Sequence, residues 1–292
     1  MTNPIENRLH ILQNGVPRSG NLWLQYLLRH CLDKAGIAVR QNITADPVAE
    51  VLARRDLGIT DIAAVDYIRV EPVRCFYTVL DAYQWPIEDL DAYVDGSTYV
   101  CTHSPWNMAS RDVYARFSHI IYLVRDPRDA ALSMARFAVT PYNRLHWKHG
   151  FSDASAYLTA HFPSLLETWA RHVSGHLKHR EDARIHFISY ERLLTSPDEE
   201  IARLLRYLGL DLDRSAIQDA LSKHSFERLR QRQPHHLAVG QWGQWRDALS
   251  KHQIAQAARV TGPLLEYFGY PLDARALDTW SIEEVRAGGA GT

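Results

Sequence analysis

The segment LHILQNGVPRSGNLWLQYLL, residues 9–28, constrains this chain more than any other. Leu9, Ile11 and Leu12 form an apolar run that reads as a strand. It enters Gly15-Val16-Pro17-Arg18-Ser19-Gly20, after which Trp23, Leu24, Leu27 and Leu28 mark the apolar side of a helix starting near Asn21. A glycine-bounded strand-to-helix turn aims backbone N–H groups and the positive end of a helix dipole at one point, which makes a phosphate site. The G-x-x-x-x-G spacing is that of a P-loop, but Asn21 and Leu22 stand where Lys and Ser/Thr would follow. The Mg²⁺-ligating hydroxyl is missing, and the only cation in the turn is Arg18. Such a turn suits a phosphate and is poorly built for Mg-ATP. A plain glycine turn opening a core helix is the competing reading of this segment alone.

Further strand-like runs at Thr98–Thr102, His119–Val124 and Arg184–Ser189 alternate with helical patterns over 21–33, 128–138, 163–178, 198–207, 214–222 and 253–267. That alternation predicts an α/β fold, a P-loop-like three-layer α/β/α arrangement with a central parallel sheet. Ligands then sit beyond the carboxyl ends of the strands. The 292 residues fit one large domain over 1–285, with 286–292 expected to be a disordered tail. A net charge of −1 argues against a broad nucleic-acid or anionic-membrane surface, so any basic character is local. No apolar run approaches the ~18 residues of a membrane span, and the N-terminus lacks the pattern of a secretion signal. Cys31, Cys75 and Cys101 are scattered and odd in number, which suits a reducing cytoplasm without disulfides or a zinc cluster. Most of the 15 histidines stand isolated on charged stretches and read as solvated surface groups.

The run HIIYLV leads into Arg125-Asp126-Pro127-Arg128-Asp129. Asp126 suits a cap and Pro127 the first position of a helix. Ser133 falls on about the second turn, where its hydroxyl can meet the same ligand as the Arg125 guanidinium, a fork suited to phosphate. The simpler alternative is a turn whose Arg and Asp side chains pair with each other. Two arginine-bearing turns at the ends of two core strands fit a ligand with two separated anionic groups.

At this point the chain resembles the sulfotransferases that use 3′-phosphoadenosine 5′-phosphosulfate (PAPS). Their P-[KR]-S-G-x-x-W loop is matched by Pro17-Arg18-Ser19-Gly20-Asn21-Leu22-Trp23, and their 3′-phosphate motif by Arg125 to Ser133. Their T-H-x-P element is matched by Thr102-His103-Ser104-Pro105. Tyr190-Glu191 and the segment Gly240-Gln241-Trp242-Gly243-Gln244-Trp245-Arg246 match two further family elements, in the family's order. The resemblance implies that Arg18, with the N–H groups of Ser19, Gly20, Asn21 and Leu22, holds the 5′-phosphosulfate. Trp23 is the family's adenine-stacking residue, with Tyr190 and Phe226 as further adenine neighbours and Gly240 on the cofactor loop. Arg125 and Ser133 bind the 3′-phosphate. His103, at a strand end, is the implied general base, taking a proton from the acceptor as its oxygen attacks sulfur. The implied donor is PAPS and the product adenosine 3′,5′-bisphosphate (PAP). A sulfuryl group carries less charge than a phosphoryl group, so no metal is expected.

Several positions depart from that pattern. Cys101 stands where the family often has Lys, Leu22 where it has a hydroxyl, and Ala238-Val239-Gly240 where it has R-K-G. Arg230, Arg232, His235 and His236 are candidates to replace the lost arginine. Lys251 and Ala255 stand at the usual Val and Glu of the dimer signature, which leaves a homodimer open. Phe76, Trp106, Tyr142 and Trp147 are the candidate acceptor walls, although aromatic stripes are more often core. The expected partner is a small-molecule or saccharide acceptor bearing a hydroxyl or amine, with no nucleic acid and no membrane span. Two alternatives are a non-catalytic nucleotide-binding protein derived from this fold and a P-loop kinase.

Overall fold

Alternating side chains along the strands bury apolar groups on both faces of one sheet, and the architecture follows from covering both. The computed structural model describes residues 9–42, 66–79, 83–146, 150–232 and 240–275. Its strands are β1 (Ile11–Gly15), β2 (Asp66–Val70), β3 (Cys75–Val79), β4 (Tyr83–Pro86), β5 (Tyr99–Thr102), β6 (His119–Val124) and β7 (Ile185–Ser189). They lie in the order β4-β3-β2-β5-β1-β6-β7. Strands β2, β5, β1, β6 and β7 run parallel, whereas β3 and β4 join antiparallel at one edge.

The helices are α1 (Asn21–Lys34), α2 (Leu90–Asp95), α3 (Ser110–Tyr114), α4 (Pro127–Ala138), α5 (Pro141–His146) and α6 (Ala154–Lys178). They continue with α7 (Tyr190–Thr195), α8 (Pro197–Tyr207), α9 (Arg214–Lys223), α10 (Phe226–Arg232), α11 (Trp245–Ala248) and α12 (Lys251–Tyr267). Helices α1, α8 and α9 cover the face that carries Ile11, Tyr99, Cys101, Ile121, Leu123 and Ile188. Residues of α3, α6 and α12 cover the opposite face, with Leu12, Val100, Ile120, Tyr122, Val124 and Phe187. Neighbouring residues thus serve opposite layers, as the two-residue period of a strand requires. A third cluster fastens α4 to α6 and α12 through Leu132, Phe162, Leu166 and Ala257.

The layered α/β expectation holds, with two corrections. The sheet is only mostly parallel, because β2 turns back through residues 71–74 into β3. Glu71 N–H donates to the Arg74 carbonyl at 3.2 Å across that reversal, a short connection that only antiparallel strands can use. The long helix α6 begins at Ala154 instead of Pro163. The Asp153 carboxylate accepts from Ala156 N–H at 2.7 Å, and the helix continues through the proline. Residues 286–292, the expected tail, lie outside the described residues.

Candidate functional site

Strands β5, β1 and β6 are adjacent and parallel, so Thr102, Gly15 and Val124 bring their following turns to one edge. The turn after β1 is tight for identifiable reasons. A Cβ on Gly15 would lie 2.6 Å from Asn21 Oδ1 and 2.7 Å from the Leu123 carbonyl oxygen. Gly20 has φ 98°, and a Cβ there would collide with the Tyr190 ring. Between them Ser19 N–H and Asn21 Nδ2 both donate to the Val16 carbonyl, at 3.2 and 3.0 Å. Arg18 has φ 72°, a left-handed backbone that costs a non-glycine residue about 1 kcal/mol or more. Ser19 is fully buried, and its Oγ has no hydrogen-bond partner among the described residues.

The turn after β6 supplies the second cation. Asp126 caps α4 by accepting from Arg128 N–H at 2.9 Å, and Pro127 begins the helix as expected. The two arginines of this turn have different roles. Arg128 is fully buried, forms a two-pronged ion pair with Asp126 at 2.9 and 2.6 Å, and lies 3.5 Å over the Trp245 ring. The simple Arg–Asp pairing is therefore correct for Arg128. Arg125 instead donates from Nη1 to the Arg18 carbonyl at 2.9 Å and from Nη2 to the Gln241 carbonyl at 3.1 Å. Its guanidinium covers the Tyr190 ring at 4.1 Å, and its buried Nε has no partner among the described residues.

Arg18 and Ser133 meet directly: Arg18 Nε donates to Ser133 Oγ at 3.3 Å, with the guanidinium 4.5 Å over Phe137. Burial, reinforced by the like charge of Arg125, lowers the Arg18 pKa to about 10, which still leaves it cationic near neutrality. Two guanidinium groups held close together, a buried hydroxyl and an orphan Nε–H form a pocket whose chemistry asks for an anion.

Beside it, Trp23 meets Tyr190 edge-on at 6.0 Å and Phe226 edge-on at 6.2 Å. Trp23 is also core, since the residue is 5 % exposed and its indole N–H donates to the His224 carbonyl at 2.9 Å. Gly240 has φ 63°, and a Cβ on it would strike the Phe226 ring. The loop that follows is tied to α4, because Asp129 accepts from Gly243 N–H at 2.5 Å and Trp245 N–H at 3.0 Å.

His103 follows β5 and is half-buried. Its Nδ1 lies 2.7 Å from the Gly15 carbonyl oxygen, which can only accept. Nδ1 therefore carries the proton, and the lone pair of the neutral ring is on Nε2. The Tyr67 ring stands 5.6 Å away. Cys101, two residues earlier, is buried with its Sγ 3.0 Å from Gln25 Nε2, and burial raises its thiol pKa strongly. Cys101 is thus a neutral core thiol.

The candidate acceptor walls are not brought together as one surface. Phe76 is half-buried on β3, opposite Arg69 of β2, one alternation from Tyr67. Trp106 is drawn into packing, stacked on His179 at 4.4 Å and edge-on to Tyr114 at 5.1 Å. The Tyr142 side chain and Trp147 lie outside the described residues, as do the Arg230 and Arg232 side chains and His235 and His236. Reading most histidines as surface groups misses His172 and His176, which are 3 % and 0 % exposed. Among the described residues, no group of three or more His, Cys, Asp or Glu could hold a metal ion. None of the described helices is long and apolar enough to cross a membrane.

A glycine-bounded turn opening α1, with two arginines at neighbouring strand ends, gathers cationic groups at one edge of a layered α/β fold. The chain belongs to the sulfotransferase family: the sulfotransferase domain model matches residues 9–269. Human sulfotransferase 4A1 is 23% identical over 144 residues, covering 49% of each chain. Mouse sulfotransferase 1B1 is 26% identical over 133 residues, covering 44% of this chain and 43% of its own. The matched region thus spans about half the length of these relatives. Among solved structures, mouse sulfotransferase SULT7A1 complexed with PAP is similar with a TM-score of 0.57 at 18% identity, covering 89% of this chain and 84% of its own. Retinol dehydratase in complex with androsterone and inactive cofactor PAP has a TM-score of 0.56 at 19% identity, covering 91% and 82%. These structural similarities establish the shared fold.

Proposed function

We propose that this chain is a PAPS-dependent sulfotransferase that moves a sulfuryl group to a hydroxyl or amine of a small-molecule or saccharide acceptor. The observation that carries the reading is convergence. Three adjacent parallel strand ends present the Gly15–Asn21 turn, the Arg125–Ser133 turn and His103, whose imidazole is anchored on the carbonyl of Gly15 itself. The donor fits these residues: the orphan Ser19 Oγ and Arg125 Nε are buried polar atoms that an anion would satisfy.

When bound, PAPS supplies the sulfuryl group on a phosphate leaving group. Arg18 and the N–H groups of Ser19, Gly20, Asn21 and Leu22 hold its 5′ end and offset the charge that develops there. Arg125 and Ser133 hold the 3′-phosphate; Arg18, leaning on Ser133, serves both ends. Trp23, Tyr190, Phe226 and Gly240 border the adenine. His103 takes the acceptor's proton at Nε2 while Nδ1–H stays on Gly15, so the base is oriented before the acceptor arrives. The reading needs no metal, because the charge on a sulfuryl group is low and Leu22 replaces the Mg²⁺-ligating hydroxyl. Phe76 remains the proposed acceptor wall, and Trp106 is assigned to packing. The buried, unpaired Cys31, Cys75 and Cys101 fit the cytoplasmic setting we propose. We read residues 1–285 as one catalytic unit.

Thermal shift separates this reading from a kinase. PAP should raise Tm and Mg-ATP should leave it unchanged, whereas the reverse pattern would overturn the proposal. Sulfate transfer from labelled PAPS to a panel of phenols, alcohols, amines and glycans then separates an enzyme from a non-catalytic nucleotide binder.

A further inference from the structure

A closed chain of hydrogen bonds begins on the His103 imidazole and returns to the His103 backbone. His103 Nδ1–H donates to the Gly15 carbonyl at 2.7 Å, and Gly15 N–H donates to Asn14 Oδ1 at 2.6 Å. Asn14 Nδ2 reaches Tyr114 Oη at 2.7 Å and the Ser104 carbonyl at 2.9 Å. Tyr114 Oη and Asn14 Nδ2 each lie 2.9 Å from His176 Nε2. His176 Nδ1 contacts the His172 carbonyl at 2.7 Å, and His172 Nε2 contacts the His103 carbonyl at 3.1 Å.

Elementary donor and acceptor rules determine the polarity of this chain. Both carbonyls can only accept, so the protons sit on His176 Nδ1 and His172 Nε2. His172 Nδ1 then accepts from the Tyr122 hydroxyl at 2.7 Å. His176 Nε2 accepts from Tyr114, leaving the two Asn14 hydrogens for Tyr114 Oη and the Ser104 carbonyl. Every member is satisfied with both histidines neutral. Burial pushes His172 down to about 3 and His176 to about 4, so they stay neutral through the ordinary working range. The two rings, four residues apart on α6, stack at 4.8 Å. For filling space alone, apolar side chains would serve without any buried polar group to satisfy. A fully satisfied polar network instead selects one arrangement of the backbone it touches.

We infer that His172 is a positioning residue for the reaction, working with Asn14 and His176 to hold the His103 backbone so that its Nε2 stays aimed at the acceptor. The inference rests on the sulfotransferase reading above. It extends the site beneath β1 and β5 to three side chains that touch neither donor nor acceptor.

The test compares His172→Phe, which keeps an aromatic ring and loses the donor, with His172→Gln, whose amide can again donate to the His103 carbonyl. His172→Phe should lower kcat roughly 10–100-fold, the scale of a base displaced by about 1 Å, while PAP affinity stays within about twofold. His172→Gln should recover most of the loss. In the ligand-free protein, imidazole ¹⁵N shifts should show His103 as a single Nδ1–H tautomer in the parent and in His172→Gln, and as a mixture in His172→Phe. Equal kcat loss in the two variants, or wild-type kcat with an unchanged His103 tautomer in His172→Phe, would overturn the inference. If His172→Phe does not fold, Tyr122→Phe removes the hydroxyl that donates to His172 Nδ1 and steadies the ring. It should lower kcat by a smaller factor in the same direction, and wild-type kcat in that variant would count against the inference. If the parent shows no PAP-dependent stabilisation, the sulfotransferase reading falls, whereas the ¹⁵N comparison still decides whether His172 orders His103.

Discussion

The proposed donor and acceptor sides of this site are built on different principles. On the donor side, each turn follows a parallel strand buried on both faces, and neighbours close in sequence shape it. Gly15, Gly20 and Asn21 form one turn within a few residues, and Asp126 with Pro127 opens α4 where Arg125 leaves the sheet. On the proposed acceptor side, Phe76 stands on β3, an antiparallel addition two strands from His103, paired with Arg69 of β2 and Pro86 of β4. A phosphate is a fixed shape that local backbone can grip. An acceptor is met by whatever side chains the periphery carries.

That contrast is broken most directly at the junction of the two sides. His103→Ala should lower kcat about 10²–10⁴-fold while PAP still raises Tm as in the parent, checked by steady-state transfer and thermal shift. Near-parental turnover would remove His103 from the chemistry and leave the donor site without a base.

The framework beneath the donor side carries a pH signature. Buried Glu191 accepts from Asp126 N–H at 2.9 Å, Ser189 Oγ at 3.0 Å and Tyr270 Oη at 2.7 Å. Burial raises its pKa from 4.5 to about 7, the Asp126 charge adding to the rise while these hydrogen bonds and Arg125 oppose it. The folded chain therefore keeps a proton that the unfolded chain releases, so this group's contribution to stability falls as pH rises from about 4.5 to 7. Glu191→Gln should flatten that fall by on the order of 3 kcal/mol in denaturant titrations across the window. An unchanged pH slope would show that Glu191 is ionised in the folded protein.

The smallest expected effect lies on the acceptor side. Phe76→Ala should raise the acceptor KM about tenfold or less, since a half-buried Phe contributes roughly 1 kcal/mol, with PAP affinity unaltered. A loss of PAP affinity in this variant would mean the two sides are not separate.

Legibility in the sequence follows the same division. β1, β5, β6 and β7 are buried on both faces and read as apolar runs, so the parallel block was recognisable from local pattern. β2 was not, because in DYIRV every second residue is less buried and Arg69 interrupts the apolar pattern, although the strand is paired on both sides. Arg125 and Arg128 are indistinguishable as letters three positions apart, and only the fold shows that Asp126 engages the second. His172 and His176 looked like isolated surface histidines, yet Trp169, His172, Val173 and His176 repeat at the spacing of a buried helix stripe. That periodicity is the available signal, and it belongs to a helix that begins at Ala154, nine residues before Pro163.

The central claim is that Arg125 and Ser133 grip one phosphate while the Gly15–Asn21 turn grips another on the same nucleotide. Calorimetric titration of the parent and Arg125→Ala with PAP and with adenosine 5′-monophosphate tests it most directly. The account predicts that Arg125→Ala weakens PAP about 10–100-fold, as expected for losing charge-assisted hydrogen bonds of roughly 1.5–3 kcal/mol, and changes the monophosphate less than about threefold. Equal losses for both nucleotides, or a parent that binds them equally well, would contradict it.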